Sequence, residues 1–299
     1  MTNVSARYTV TGGRPESWVT LETTERPEIL ARRLDHGGLE LLLPGAICAM
    51  AAGPIAVHDG LVKQVEVSAD RAAGRLTGVS PGVRLLIDLD HDANYVLRSE
   101  PGLPFRTTLV LDSDYITRLL AGRLIVVDPG HGGPDGGARG PINLWERDKC
   151  WEVALFTSQF LREAGAAVVL THRPEENPPE ALRRALARRR GAHLYLSLHL
   201  GAAMDAIQRG ARTVDLGRQP TSSRLAQSLH KAVLGRFPLP DLGLGEEGPD
   251  PALNLPAARL EPVTVTNGLD EALLRSPTFK RGLGLAVLTG VKDFLDREK

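Results

Sequence analysis

Four side chains in the second half of the chain are of types that hold metal ions and move protons: His131, Glu146, His199 and Glu261. His131 lies in Asp128-Pro129-Gly130-His131-Gly132-Gly133, directly after the apolar run 124–127. In open α/β sheets ligands bind in the crevice beyond the carboxyl ends of the strands, so an imidazole there is placed to ligate. Read as a phosphate cradle, the same loop lacks both the GxGxxG and the GxxxxGK[ST] spacing. Glu146 opens the next helix. Alone it would cap that helix from the third position after Asn143, or favour its positive end, but the loop before it returns to the sheet edge that carries His131. His199 lies near the end of the run 194–200 among apolar neighbours, where a solitary histidine reads as a buried residue with a local hydrogen-bond partner. Glu261 ends the run 257–261, just before Pro262.

Taken together, two imidazoles and one carboxylate leave a fourth position on Zn²⁺ for water, the pattern of a catalytic zinc site. Such an ion lowers the pKa of its water to roughly 7 and polarises a carbonyl. A second carboxylate, Glu261, then serves as acid/base. Among competing groups, His172 follows a strand end and is the spare ligand. His193 precedes His199 by six residues, roughly 20 Å along a strand at ~3.3 Å per residue, and belongs to the opposite edge. His230 falls in a helix, His36 and His58 in the N-terminal half, and His91 in a polar turn with Asp90, Asp92 and Asn94, where it is expected to be exposed. Neither Ser197, inside a strand, nor Cys150, inside a helix, is placed as a nucleophile.

The elements that must position these residues follow from periodicity. Up to about residue 112, short β-type runs (18–22, 39–43, 62–67 and 84–89) are separated by Gly, Pro, Asp and Asn turns, which predicts a small all-β sandwich. After Gly122 strands alternate with helices: strands at 124–127, 166–171, 194–200, 211–216 and 257–261, and helices at 145–164, 179–190, 222–236 and 276–298. That order predicts an α/β fold, a largely parallel sheet flanked by helices. The domains expected are residues 1–115 and 122–299. A Gly/Pro-rich stretch, 238–256, is left as a loop able to act as a lid.

Lys plus Arg and Asp plus Glu each number 36, so no net field draws the chain to nucleic acid or to an anionic membrane. The two cysteines, Cys48 and Cys150, form no CxxC pair, which leaves neither a disulfide framework nor a thiolate zinc site. The longest apolar stretch, 41–57, is broken by Pro44, Gly45, Gly53 and Pro54 and falls short of the ~20 residues that a transmembrane helix needs. The first ten residues show neither the basic start nor the apolar run of a signal peptide.

The motifs VVDPGHGGPDGGARG, WERD, SLH and ARLEPVTVTN, in that order, resemble the zinc-dependent N-acetylmuramoyl-L-alanine amidase family, the AmiC-like peptidoglycan amidases. The resemblance runs from about Gly122 to the C-terminus. It implies metal ligation by His131, Glu146 and His199, a catalytic Glu261, and a substrate: the amide joining the lactyl group of N-acetylmuramic acid to L-alanine of the stem peptide. It also implies action at the cell wall, outside the cytoplasm, with an activator protein left unspecified. Two departures touch the cleft. Gly201 stands where the family has Asn in SIHxN, and PVTVTN replaces the Gly-Phe stretch after the catalytic Glu. Arg188 and His193 stand where the family tends to have Asn and Asp. The N-terminal half faintly resembles the AMIN domain, a β-sandwich that localises such amidases to the envelope, with LLIDLD as its clearest echo. The alternative readings are a non-catalytic peptidoglycan-binding or regulatory protein on the same scaffold, and a metal hydrolase of some other amide.

Overall fold

The computed structural model describes residues 1–12, 14–35, 37–70, 82–217, 219–248 and 253–298, so His36 lies outside the described residues. The chain forms two compact units, Met1–Ile116 and Thr117–Lys299. Among the described residues up to Asp112, the regular elements of the first are strands: β1 (Asn3–Thr11), β2 (Arg14–Thr23), β3 (Leu30–Arg33), β4 (Leu39–Pro44), β5 (Gly53–Ala56), β6 (Val62–Asp70), β7 (Gly82–Leu89), β8 (Tyr95–Glu100) and β9 (Phe105–Asp112). They make a four-stranded sheet, β1-β2-β9-β8, and a five-stranded sheet, β3-β4-β7-β6-β5. Every pairing in them is antiparallel. Alternation along the strands sends one face inward. Val19 and Leu21 of β2 and Val83, Leu85 and Ile87 of β7 are buried, while the residues alternating with them, Trp18, Thr20, Arg84 and Leu86 among them, stay partly exposed. The four β-type runs read from the sequence fall in β2, β4, β6 and β7.

His91 departs from expectation. It occupies the turn after β7 but is half-buried, its ring centroid 4.2 Å from that of Tyr115. The largely apolar body of an imidazole packs against an aromatic ring even in a polar turn, and pattern reading does not see such a distant neighbour.

Helix α1 (Asp114–Leu120) leads into the second unit, whose elements are β10 (Leu124–Pro129), α2 (Glu146–Glu163), β11 (Ala167–Leu170), α3 (Glu180–Arg189), β12 (Leu194–Leu198), β13 (Ala211–Asp215), α4 (Pro220–Arg236), β14 (Asp241–Glu246), β15 (Ala257–Glu261), α5 (Gly268–Arg275) and α6 (Pro277–Arg297). The sheet runs β11-β10-β12-β15-β13-β14. All its pairings are parallel except β13 against β15. The central strands read as continuous apolar runs because both faces are covered. Ile125, Val126 and Val127 of β10 and Leu194, Tyr195 and Leu196 of β12 are all nearly inaccessible.

Helix α6 is buried along most of its length and packs against α2 and α4. Its approach to α4 is close: a Cβ added at Gly290 would stand 2.7 Å from Leu229 Cα. After residue 112, three elements escaped the sequence reading: α1, β14 and α5. The stretch 238–256 is not simply a loop, since it contains edge strand β14; its sequence, DLGLGE, alternates leucine with glycine, and its strand form comes from pairing with β13. Helix α5 is separated from α6 only by Ser276, which caps α6 by accepting from Phe279 N. Among the described residues, no helix is long and apolar enough to cross a membrane.

Candidate metal centre

Ladder bonds bring three chain segments to one edge of the sheet. Gly130 N donates to Leu198 O at 2.8 Å, holding the end of β10 beside β12, and His199 N donates to Leu260 O at 3.0 Å, holding β12 beside β15. His131 and His199 therefore emerge from adjacent strand ends, and Glu261 from the next strand over. His131 has φ 64°, a left-handed conformation uncommon for a residue with a side chain, and such strain concentrates at functional sites. After it the loop doubles back: Gly132 and Asp135 exchange backbone bonds of 3.1 and 2.9 Å, and Asp135 Oδ2 lies 2.9 Å from His131 Nδ1. Asp135 also accepts from Gly137 N at 3.0 Å. With Nδ1 engaged by Asp135, His131 turns Nε2 toward Glu146.

Glu146 is the first residue of α2, whose N-cap position is Trp145 and whose end carries no side-chain cap. The capping reading therefore fails. Its carboxylate points back to the sheet edge, 3.1 Å from His131 Nε2 through Oε2 and 3.1 Å from His199 Nδ1 through Oε1. Backbone amides hold it there, Ala138 N on Oε2 at 2.9 Å and Leu200 N on Oε1 at 3.0 Å. Burial alone would raise the Glu146 pKa, but His131, His199 and these two amides outweigh it and hold the group well below the usual carboxylate range. Conversely, the Glu146 carboxylate, against burial and with help from Asp135, raises His131 to about 9.

His131, Glu146 and His199 each offer a ligand atom, all within 4.8 Å of one another. The 3.1 Å separations are shorter than two bonds of ~2.0–2.1 Å laid end to end, so one ion can touch both members of each pair. The surroundings fit such a group. A Cβ at Gly137, which has φ +66°, would stand 2.6 Å from His131 Cδ2 and 2.8 Å from Glu146 Oε2. One at Gly130 would stand 2.6 Å from His199 Cε1. Only glycine lets the backbone pass this close behind the donor side chains.

The spare candidates fall away. His172 is buried with its ring nitrogens at Arg173 O (2.8 Å) and Pro129 O (2.9 Å). His193 sits at the opposite end of the sheet, where its Nδ1 accepts from Leu124 N at 3.0 Å. His230 bridges Thr213 and Asp241. Ser197 bonds Asp128 at 3.2 Å, and Cys150 is wholly buried, its thiol pushed up by burial and by Glu146. Glu261 stands half-buried at the end of β15, with Arg259 Nε 3.2 Å from its Oε1. Arg259 also pairs with Glu247 at 3.0 Å.

Sequence reasoning missed two supports. Asp135 orients His131; a carboxylate four residues past a loop histidine was the available signal. Asp128, 1% exposed, accepts from Thr171 (2.5 Å), Tyr195 (2.7 Å) and Ser197, and Arg183, 3.5 Å from it, reaches on to Pro129 O and His131 O. A lone charge at the end of an apolar strand marked it. The two departures in the cleft prove to be neighbours. Gly201 pairs with Thr264, and a Cβ at Gly201 would lie 3.2 Å from Thr264 Oγ1.

Fold and site together define an α/β domain with a two-histidine, one-carboxylate group fit for a metal at the carboxyl edge of its sheet. The chain belongs to the N-acetylmuramoyl-L-alanine amidase family, whose sequence profile matches residues 125–293. It is 33% identical over 122 residues to the germination-specific N-acetylmuramoyl-L-alanine amidase of Bacillus subtilis, covering 36% of this chain and 51% of that protein. To the amidase AmiC of Neisseria meningitidis it is 24% identical over 219 residues, covering 58% of this chain and 53% of that one. The chain thus spans about half the length of these curated relatives. Over 59% of this chain and 99% of that structure the fold is similar to that of AmiC2 of Nostoc punctiforme, with a TM-score of 0.55 and 23% identity.

Proposed function

We propose that this chain is a zinc-dependent hydrolase of the amide between N-acetylmuramic acid and L-alanine in peptidoglycan, acting in cell-wall remodelling, separation or lysis outside the cytoplasm. The observation that carries the proposal is the convergence of His131, Glu146 and His199 on one point, with a half-buried carboxylate, Glu261, on the neighbouring strand. In this reading those three residues hold zinc, and Asp135 fixes the ring of His131. The chemistry supplied by zinc in such a site is Lewis acidity, which polarises the scissile carbonyl and brings the pKa of a water in the open position to roughly 7. Glu261 accepts a proton from the attacking water and returns it to the leaving amine nitrogen. Arg259 Nε lies 3.2 Å from Oε1 of Glu261 and places a positive charge beside it. The N-terminal unit is assigned the AMIN-like role of holding the enzyme at the wall.

The test is digestion of purified sacculi with zinc-loaded protein, with a chelator-treated control, followed by mass spectrometry. Stem peptides beginning at L-alanine, released only with metal, are expected. No release despite stoichiometric zinc would favour a wall-binding protein, and cleavage of small acyl-amino acids with sacculi left intact would favour a hydrolase of another amide. Glu261→Gln is expected to keep zinc and lose turnover, and His199→Ala to lose both. Turnover retained in the Glu261 variant would remove that residue from the mechanism.

A further inference from the structure

Glu271, in the first turn of α5, is fully buried at 0% exposure and more than a hundred residues from Glu146 in the chain. A buried carboxylate is tolerated where donors meet it. The donors here belong to the loop that delivers Glu146. Ile142 N bonds Glu271 Oε2 at 2.8 Å and Leu144 N bonds Oε1 at 2.9 Å. Arg275, one turn further along α5, lies 3.4 Å from the same Oε1 and donates to Ile142 O at 2.8 Å.

That loop has no apolar anchor of its own beyond Leu144. Ile142 is 55% exposed, and Asn143 takes a left-handed φ of 70°. It closes through Gly140 N to Leu144 O at 2.8 Å and a bridge between Arg139 and Trp145, and then Glu146 N donates to Ala138 O at 2.9 Å. The carboxylate of Glu271 also packs flat on the loop backbone, since a Cβ at Gly140 would stand 2.5 Å from Glu271 Cδ. Removing the carboxylate strands two amide donors, and the loop must rearrange to satisfy them. The residue that follows that loop within two positions is the carboxylate on which both imidazoles converge.

We infer that Glu271 is a positioning residue for the metal centre: through the 140–144 loop it fixes Glu146 against His131 and His199. The inference rests on the metal reading above. It gives α5 a task that neither the strand-end pattern nor the donor geometry assigns.

The experiment is zinc affinity of the full chain, measured by competition with a chromophoric chelator, for the unsubstituted protein and for Glu271→Gln. Gln keeps the shape but turns a donor toward one of the two amides. The expected result is affinity about tenfold to a hundredfold weaker, as for other residues that orient metal ligands. Gly290→Ala, at the α4–α6 crossing, is the comparator: it loosens the fold away from the site and is expected to lower the melting temperature with zinc affinity unchanged. Arg275→Met, a change at a half-exposed side chain, is expected to weaken zinc in the same direction by a smaller factor, and carries the test if Glu271→Gln does not fold. Affinity in Glu271→Gln equal to that of the unsubstituted chain, or a loss matched by Gly290→Ala, overturns the inference alone. No zinc uptake by the unsubstituted chain overturns the metal reading and the inference together.

Discussion

At the scale of single residues, His131 ties the site to pH. In the metal-free fold its pKa is raised from 6.5 to about 9, first by the Glu146 bond and then by the charges of Glu146 and Asp135. A raised folded pKa means that the protonated ring stabilises the metal-free chain; that contribution is complete below about 6.5 and fades as pH rises through about 9. The same proton competes with a metal for Nε2 of the ring. Zinc affinity is therefore expected to rise with pH by about tenfold per unit until about 9, one proton leaving per ion bound. Calorimetry at pH 7 in buffers of differing ionisation enthalpy reads this directly, and zinc uptake without proton release would show that His131 is not the displaced acid. His131, Glu146, His199 and Glu261 were singled out in the sequence because each lies at a strand end or opens a helix, where side chains reach the crevice. Asp135 and Glu271 were not: Asp135 acts through a hydrogen bond to His131 and Glu271 through the amides of Ile142 and Leu144, and such bonds leave no periodicity behind.

At the scale of elements, what the pattern showed and what it missed divide along a physical line. The runs 124–127, 194–200 and 257–261 were readable because burial on both faces demands apolar residues regardless of neighbours. Strand β14 was not, because an edge strand with glycine at every second position owes its form to β13 and not to its own side chains. The antiparallel placement of β13 is likewise a matter of partner, which sequence alone does not encode locally. The departures Gly201 and Thr264 belong to this scale too. Gly201 N donates to Val263 O at 2.8 Å and Val265 N to Gly201 O at 2.7 Å, so the segment after β15 extends the ladder past His199. Thr264 is 2% exposed, leaving little room for the asparagine that the family carries at position 201. Gly201→Asn is expected to cost about 1–3 kcal/mol through overpacking, and Thr264→Ala in the same chain to recover part of that loss. Denaturant titration of the two single variants and the double measures the coupling, and strict additivity would show that the two positions do not compensate each other.

At the scale of the whole molecule, the family profile begins at residue 125, beyond the N-terminal unit. That unit has its own closed set of strand pairings and its own buried residues, from Val19 and Leu21 to Leu85 and Ile87. The role proposed for that unit is to hold the enzyme at the wall. Balanced charge across the chain, 36 basic against 36 acidic residues, gives no long-range attraction to an anionic wall polymer, so the proposed localisation would rest on specific contacts. Tethering by such contacts raises the effective concentration of an insoluble substrate without altering chemistry at the bond. If the N-terminal unit has this task, residues 1–115 alone are expected to pellet with purified sacculi, saturably and without zinc. Deleting them is expected to slow hydrolysis of intact sacculi while leaving cleavage of small soluble wall fragments nearly unchanged. Equal losses on both substrates would instead assign the unit to the stability of the enzyme, and failure of the isolated unit to pellet where a known wall-binding domain does would end the targeting proposal.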